Sequence, residues 1–280
     1  MSKATLNTPK VALEDPQKKK KKFSPYWITA ALFPIIMLTW YVITEIRVLH
    51  PILLPGPEAV LKAFPKVFGS ETFVMHASRT LTEIVGGFAL GATVGFILGL
   101  LLGSSNVLRA AYLPVLSAME AVPTVIIAPL LIAWLGFGFE GKIVQAAFAC
   151  FYAVFITTLS GLALANANSV SLMQSLGASK IQTLLKLRIP SALPVIFGGL
   201  QLGATIAIIG AIVSEFVGAD AGLGFLLLRY RSSFDTPSAW VLIFCFLAIG
   251  IATYLIISLA EKKIVFWRAA AITRPDLEKK

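Results

Sequence analysis

The chain alternates between long apolar runs and short polar connections. About 20 mostly apolar residues are needed for a helix to cross the hydrocarbon core of a bilayer. Runs of that kind occur at residues 26–47, 80–103, 110–135, 143–165, 193–217 and 239–260. The connections are too short for a separate soluble domain, so the pattern predicts an all-α integral membrane protein with six transmembrane helices.

Glycine recurs at every fourth position of the second predicted span. The series comprises Gly87, Gly91, Gly95, Gly99 and Gly103. Residues four apart lie on the same face of a helix, and a stripe of small residues lets another helix approach closely. The series therefore predicts a helix-packing face, and a weaker series follows in the fifth span at Gly199, Gly203, Ala207 and Ala211.

Three prolines, Pro114, Pro123 and Pro129, interrupt the third predicted span. Each removes a backbone donor and crowds the preceding turn, which predicts a kink or local unwinding. Irregular backbone at membrane depth is tolerated where it faces protein or a water-filled cavity. This span is therefore a candidate wall of a translocation path, and a bent packing helix is the equal alternative.

Polar residues within the spans are candidates for that path. Glu120 lies near the middle of the third span, where a carboxylate costs roughly 2.5–3.5 kcal/mol on insertion scales. It must face a cavity or form a structural hydrogen bond, and both alternatives stay open. The other candidates are Thr124, Gln201, Thr205 and Glu215, the last near the outer end of the fifth span and close to water.

Charged residues lie near the boundaries of the predicted spans. Glu83 follows Arg79 by four residues near the outer boundary of the second span, which predicts an ion pair on a helix face. Lys142 precedes the fourth span, so no Lys or Arg is expected to be buried within a span. That expectation slightly favours a neutral or cationic solute over an anion.

The segment between the first two spans has a helical pattern of its own. It begins at Pro57, a residue favoured in the first helical turn. Its apolar residues lie opposite its charged ones; they are Val60, Leu61, Phe64, Val67 and Phe68, against Glu58, Lys62 and Lys66. The pattern predicts a helix lying in the membrane interface, with a docking ledge for an external protein as the alternative.

Composition and charge agree with a membrane protein and set its orientation. Hydrophobic residues make up 57% of the chain, and mean hydropathy is +0.83. The net charge of +10 comes largely from the flanks of spans, notably Lys18–Lys22, which favours contact with anionic lipid over nucleic acid. If the N-terminus is cytoplasmic, 17 Lys and Arg residues lie inside and seven outside. Both termini are therefore predicted to be cytoplasmic.

Residues for catalysis are missing from the sequence pattern. His50 and His76 have no cysteine or carboxylate at ligand spacing, so no metal site is predicted. No phosphate-binding glycine loop is present, which predicts that the chain is not an enzyme and holds no cofactor. Energy for uphill transport would come from another chain or from an ion gradient.

A polar and basic island at residues 172–194 separates two of the apolar runs. Its sequence, LMQSLGASKIQTLLKLRIPSALP, predicts a short helix, a turn at Gly177, a second short helix and a stop at Pro190. The orientation places this segment in the cytoplasm. The Gly177 loop, defined as residues 166–192, could therefore transmit force from a cytoplasmic partner.

The island resembles the "EAA" loop of ABC importer permeases. Gly177, Ile189 and Pro190 match its core, whereas Ser171–Met173 stand where the acidic and alanine residues usually lie. The segments LLPGPEAVL, PLLIAWLGFG and SEFVGADAGLGFLL extend the resemblance. Together they resemble binding-protein-dependent permeases of the nitrate, sulfonate, bicarbonate and thiamine-precursor branch.

The resemblance implies a type I ABC importer permease in a bacterial cytoplasmic (inner) membrane. Its implied partners are a second permease copy in a homodimer, a cytoplasmic ABC ATPase dimer that holds ATP and Mg, and an extracytoplasmic solute-binding protein. An ion-coupled secondary transporter is the alternative. The substrate stays open among pyrimidine or other vitamin precursors, sulfonate, nitrate and bicarbonate.

The implied contact with the ATPase lies in the Gly177 loop. Its residues are Ser175, Leu176, Gly177, Ala178, Ser179, Lys180, Gln182 and Leu184. Around it, the expected organisation is a basic cytoplasmic tail at residues 1–25, a permease domain at 26–263 and a cytoplasmic tail at 264–280.

Overall fold

The computed structural model describes residues 25–267, apart from Ala121 and Phe137 and the side chains of residues 25–30, Asn106, Met119 and Glu120. Both predicted tails fall almost wholly outside this part. Every regular element within it is helical. The helices are α1 (Pro25–Glu45), α2 (Pro57–Phe68), α3 (Phe73–Gly103), α4 (Asn106–Glu120), α5 (Thr124–Leu135), α6 (Phe139–Ala163), α7 (Ala167–Ser175), α8 (Lys180–Thr183), α9 (Ile189–Gly218), α10 (Leu223–Ser232) and α11 (Thr236–Ile264), with a π turn at Leu184–Arg188.

Helix α6 is at the centre of the bundle, between α3 and α9. The glycine stripe of α3 lies against it: a methyl group at Gly99 would come 2.6 Å from Thr158 Cβ, and one at Gly95 would overlap the Phe151 carbonyl oxygen. On α9, a methyl at Gly210 would come 2.8 Å from Ala149 Cβ. Since no side chain separates these backbones, the three helices form one tightly packed unit.

The third predicted span is divided into α4 and α5 by a break at Val122–Pro123. Pro123 is extended (φ −58°, ψ 123°) and precedes the first residue of α5. The predicted local unwinding is confirmed.

In the described residues, four helical stretches are long and apolar enough to cross a membrane, namely 73–103, 139–163, 180–218 and 236–264. The part of α1 whose side chains are described, Ala31–Glu45, is shorter than these stretches.

Helices α2, α10 and α11 pack together at one end of the bundle. The predicted helix at Pro57 is present, but Val60 and Val67 are buried against Leu223 and Leu242, on α10 and α11. The apolar face assigned to the interface is thus covered by protein in part, whereas Leu61 and Phe68 stay exposed. Helix α1 joins this group through a stacked pair of tryptophans, Trp40 and Trp240, whose ring centroids are 5.4 Å apart.

The predicted stop at Pro190 is wrong. The helical path runs from α8 through the π turn into α9, with Pro190 in the first turn of α9. Proline lacks the N–H of a continuing helix and its ring clashes with the preceding turn. A wider π turn just before it relieves this conflict. Residues 180–218 therefore form one continuous helical element.

Candidate functional site

The turn of the Gly177 loop has a backbone reason for glycine. Gly177 has φ +80°, and nothing lies within 4 Å of a β-carbon built there, so conformation and not space requires the residue. The N–H groups of Gly177 and Ala178 donate to the carbonyls of Gln174 and Met173, both at 2.9 Å. These bonds close the C-terminus of α7 in the manner typical of glycine-terminated helices.

Three polar residues expected to touch a partner form hydrogen bonds within the loop. The backbone N–H of Gln182 donates to Ser179 Oγ (3.2 Å), and the N–H of Ser179 donates to Gln182 Oε1 (2.8 Å), which together form a capping box at α8. Ser175 Oγ donates to a carbonyl one turn earlier on α7. Among the polar candidates, Lys180 is exposed.

Four apolar side chains of the Gly177 loop are exposed, and we refer to them as its apolar surface. They are Leu172, Leu176, Ile181 and Leu185, and Leu176 is 76% exposed. Leu184 points the other way and packs with Leu162, Ala192 and Ile196 of the bundle. Sequence reasoning missed Leu172 and Ile181, although apolar residues in a polar segment were a visible signal. A patch of this kind, attached to the bundle through Leu184, is typical of a contact surface.

A buried ionic cluster lies between α3 and α6. Glu83 is fully buried, with its Oε1 3.6 Å from Lys142 Nζ and 3.4 Å from Arg79 Nε. The Arg79 guanidinium also lies over the Phe139 ring, 4.4 Å from its centroid. The predicted ion pair of Arg79 and Glu83 is confirmed, whereas the expectation of no buried lysine is wrong, since Lys142 is 1% exposed. Tight packing of α3 on α6 buries Glu83 and Lys142.

Glu215 holds the start of α10. Its carboxylate accepts hydrogen bonds from Thr80 Oγ1 (2.6 Å) and from the backbone N–H of Gly224. The two preceding backbone N–H groups are also hydrogen-bonded: that of Leu223 donates to Thr80 Oγ1 (2.7 Å), and that of Gly222 donates to His76 Nδ1 (3.0 Å). These bonds satisfy donors that a helix N-terminus leaves unpaired, where a negative charge is also favoured. Glu215 is 1% exposed, so its expected closeness to water is wrong.

The remaining path candidates lie in different places. Thr124 follows the helix break, and its carbonyl accepts from Gln145 Nε2 (3.1 Å). Gln201 donates to Glu261 on α11 (3.2 Å), whereas Thr205 lies in an apolar groove between α9 and α11. The structure thus does not bring these residues to one site. Glu120 ends α4 beside the break, and its side chain lies outside the described residues.

A cavity of about 280 Å³ adjoins the break. Its walls are the break itself, the aromatic face of α6 and part of α9. Thr124 is the one path candidate among its lining residues. Of the described residues, no three His, Cys, Asp or Glu side chains are grouped as a metal ion would require.

Comparison with known proteins identifies the family. Residues 83–266 match the model of the binding-protein-dependent transport system inner membrane component. A riboflavin transport system permease protein of Chloroflexus aurantiacus is 33% identical over 84% of this chain and 88% of its own length. A formylaminopyrimidine transport permease protein of Halalkalibacterium halodurans is 30% identical over 85% and 94%, respectively.

The fold has a counterpart among solved structures. An inward-facing structure of the MetNI methionine ABC transporter contains a chain that aligns with a TM-score of 0.60 and 20% identity, over 73% of this chain and all of that one. The likeness supports the expected type I importer fold. The chain belongs to the family of binding-protein-dependent transport system inner membrane components, and it is the permease subunit of an ABC importer for a small solute, with ATP hydrolysis on a separate subunit.

Proposed function

We propose that the Gly177 loop seats on the ATPase and transmits its movement to the permease. One observation carries this proposal: the loop has an exposed apolar surface on one side and Leu184 packed into the bundle on the other. A loop that only connected two spans would not need four exposed apolar residues. ATP and Mg would be held by the ATPase, as the lack of a phosphate-binding loop in this chain supports.

The packing of the helices offers a route by which movement of the Gly177 loop reaches the rest of the bundle. Residues 180–218 are one helical element, so movement at α8 is carried into α9. Helix α9 in turn packs backbone to backbone against α6, and α6 against α3. Because packed helices resist continuous deformation, we infer that they move as a near-rigid body and alternate access between the two sides.

The orientation and assembly follow from the same proposal. The excess of Lys and Arg supports a cytoplasmic location, in a bacterium, for both termini and the Gly177 loop, with α2 and α10 outside. The six spans would be α1, α3, the pair α4 and α5, α6, α9 and α11. Two copies of the chain would form a homodimer on an ATPase dimer in the cytoplasmic membrane, and an external binding protein would deliver the solute.

Replacing the turn glycine tests the proposal. Gly177→Val removes a residue that adopts φ +80°, so it should distort the loop. We expect loss of the ATP hydrolysis that the loaded binding protein stimulates, while the permease still inserts. Gly198→Val is the matched control, because Gly198 is exposed, has no positive φ and has nothing within 4 Å of its added β-carbon. Equal stimulation in both variants would refute the role of the loop.

A further inference from the structure

Two faces of helix α6 are covered by neighbouring helices, and a third borders a cavity. Glycines of α3 and of α9 close the first two faces, as at Gly95 and Gly210. The third face carries Phe148, Tyr152 and Ile156, at successive turns. It borders the cavity of about 280 Å³ beside the broken span. The space therefore lies where a tightly packed helix meets an interrupted one.

Part of the wall of this cavity is aromatic, and its described lining is uncharged. Phe148, Phe151 and Tyr152 all line it, with Phe148 and Phe151 ring centroids 5.8 Å apart and Phe151 and Tyr152 centroids 6.4 Å apart, nearly perpendicular. No charged side chain is among its described lining residues. The break supplies polar backbone, and its position is fixed by the hydrogen bond from Gln145 to the Thr124 carbonyl.

We propose that this cavity is a solute-recognition site inside the permease and that it takes a neutral solute with a planar ring. The inference rests on the proposed role of the bundle as a translocation path. Aromatic side chains stack on heterocyclic rings without needing a charge. The Tyr152 hydroxyl, 3.3 Å from Ser117 Oγ, adds a polar group that can orient such a ring.

Charge and size both favour this class of solute. Nitrate, bicarbonate and sulfonate would leave an ionic group among apolar walls, where an unpaired charge is costly. The buried cation Lys142 and the partly exposed Arg79 both lie beside Glu83 and do not line the cavity, so neither is placed to pair with such an anion. At about 280 Å³ the cavity is slightly below the roughly 300–1,000 Å³ of pockets for drug-sized ligands, which suits a small ring compound.

Protection of a cysteine at the break tests the site. Val122→Cys would be introduced together with Cys245→Ser; Cys150 is fully buried and can stay. The permease–ATPase complex in lipid nanodiscs would be labelled with a small maleimide, alone and with thymine as a neutral planar probe or taurine as a sulfonate probe. We expect thymine to slow labelling several-fold and taurine to leave it unchanged.

Further substitutions identify the aromatic wall as the cause. Tyr152→Ala should abolish protection by thymine, whereas Tyr152→Phe keeps the ring and should retain most of it. Tyr254→Ala is the control, since Tyr254 is exposed on α11 and lines a different groove. Retained protection in Tyr152→Ala would overturn the assignment.

Three other results would also overturn it. Equal protection by taurine would remove the preference for a neutral ring, and no protection by thymine would remove the site. A cysteine that does not react without solute would show a cavity filled by lipid or closed by the second copy. The ATPase activity of the same complex is measured in parallel, so that a failed site with normal coupling leaves the proposed function of the Gly177 loop intact.

Discussion

Glu215 on α9 and Gly222 at the start of α10 are packed so closely that a β-carbon on Gly222 would overlap the Glu215 carboxyl group. Gly222 also has φ +127°, a conformation that L side chains rarely adopt. The carboxylate therefore reaches the N-terminus of α10 only because this position lacks a side chain. That contact, with those of Thr80 and His76, fixes α10 to α3 and α9.

We predict that Gly222→Ala destabilises the permease. Backbone strain in such a region costs of order 1–3 kcal/mol, and displacement of Glu215 adds to it. Thermal unfolding of the purified protein should show a lower melting temperature, whereas Gly198→Ala should show none of this change because its β-carbon meets open space. Equal melting of both variants would argue against the contact.

The buried pair of Glu83 and Lys142 yields a second prediction. Lys142→Met should destabilise strongly, by about 3–5 kcal/mol, because it leaves a buried carboxylate without its closest buried cation. Adding Glu83→Gln should restore much of the loss, since the unpaired charge is then removed. A double-mutant cycle on unfolding measures this coupling, and strictly additive losses would contradict it.

The glycine stripe of α3 yields a third prediction. Gly95→Leu should force α3 away from α6, because even a methyl at Gly95 would overlap the Phe151 carbonyl oxygen. Melting temperature and transport should both fall. Gly198→Leu is the control for adding a leucine to an exposed helical glycine. Should Gly95→Leu behave like this control, the stripe would not be the packing face.

The ion pair between Lys66 on α2 and Asp235 at the start of α11 predicts a modest pH dependence. Burial alone would raise the pKa of Asp235, but hydrogen bonds from Lys66, at 2.6 Å, and from Ser238 outweigh it and hold this pKa below 3.8. The hydrogen bond and charge of Asp235 raise the pKa of Lys66 above 10.5.

Each shift sets one limit of the pH window. A lowered carboxyl pKa stabilises above about 3.8 and is lost as pH falls through the folded-state pKa; a raised lysine pKa stabilises below about 10.5 and is lost as pH rises through its folded-state pKa. Since Lys66 is largely exposed, the effect should be about 1 kcal/mol or less. Unfolding measured across pH should lose its acid-side step in Asp235→Asn but keep it in the exposed control Asp220→Asn.

Patterns with a short period could be predicted from the sequence, and contacts between distant segments could not. The glycine series, the proline break and the turn at Gly177 follow from local spacing. The Ser179–Gln182 capping box has an equally local signal, a spacing of three residues, but it was not predicted. The second and fourth spans were predicted to start at residues 80 and 143, after the first residues of α3 and α6, because Arg79 and Lys142 lower the local hydropathy. The burial of Glu83 and Lys142 depends on α3 and α6 meeting in the fold.

Cross-linking of the Gly177 loop to the ATPase tests the central claim most directly. Leu176→Cys carries the reactive group on the exposed apolar surface, and Leu184→Cys places it on the side packed into the bundle. With a short thiol-to-amine cross-linker on the purified complex, we predict a permease–ATPase product from Leu176→Cys and little from Leu184→Cys, with hydrolysis no longer stimulated in the linked product. Equal yields from both positions, or no product from Leu176→Cys, would contradict docking through this loop.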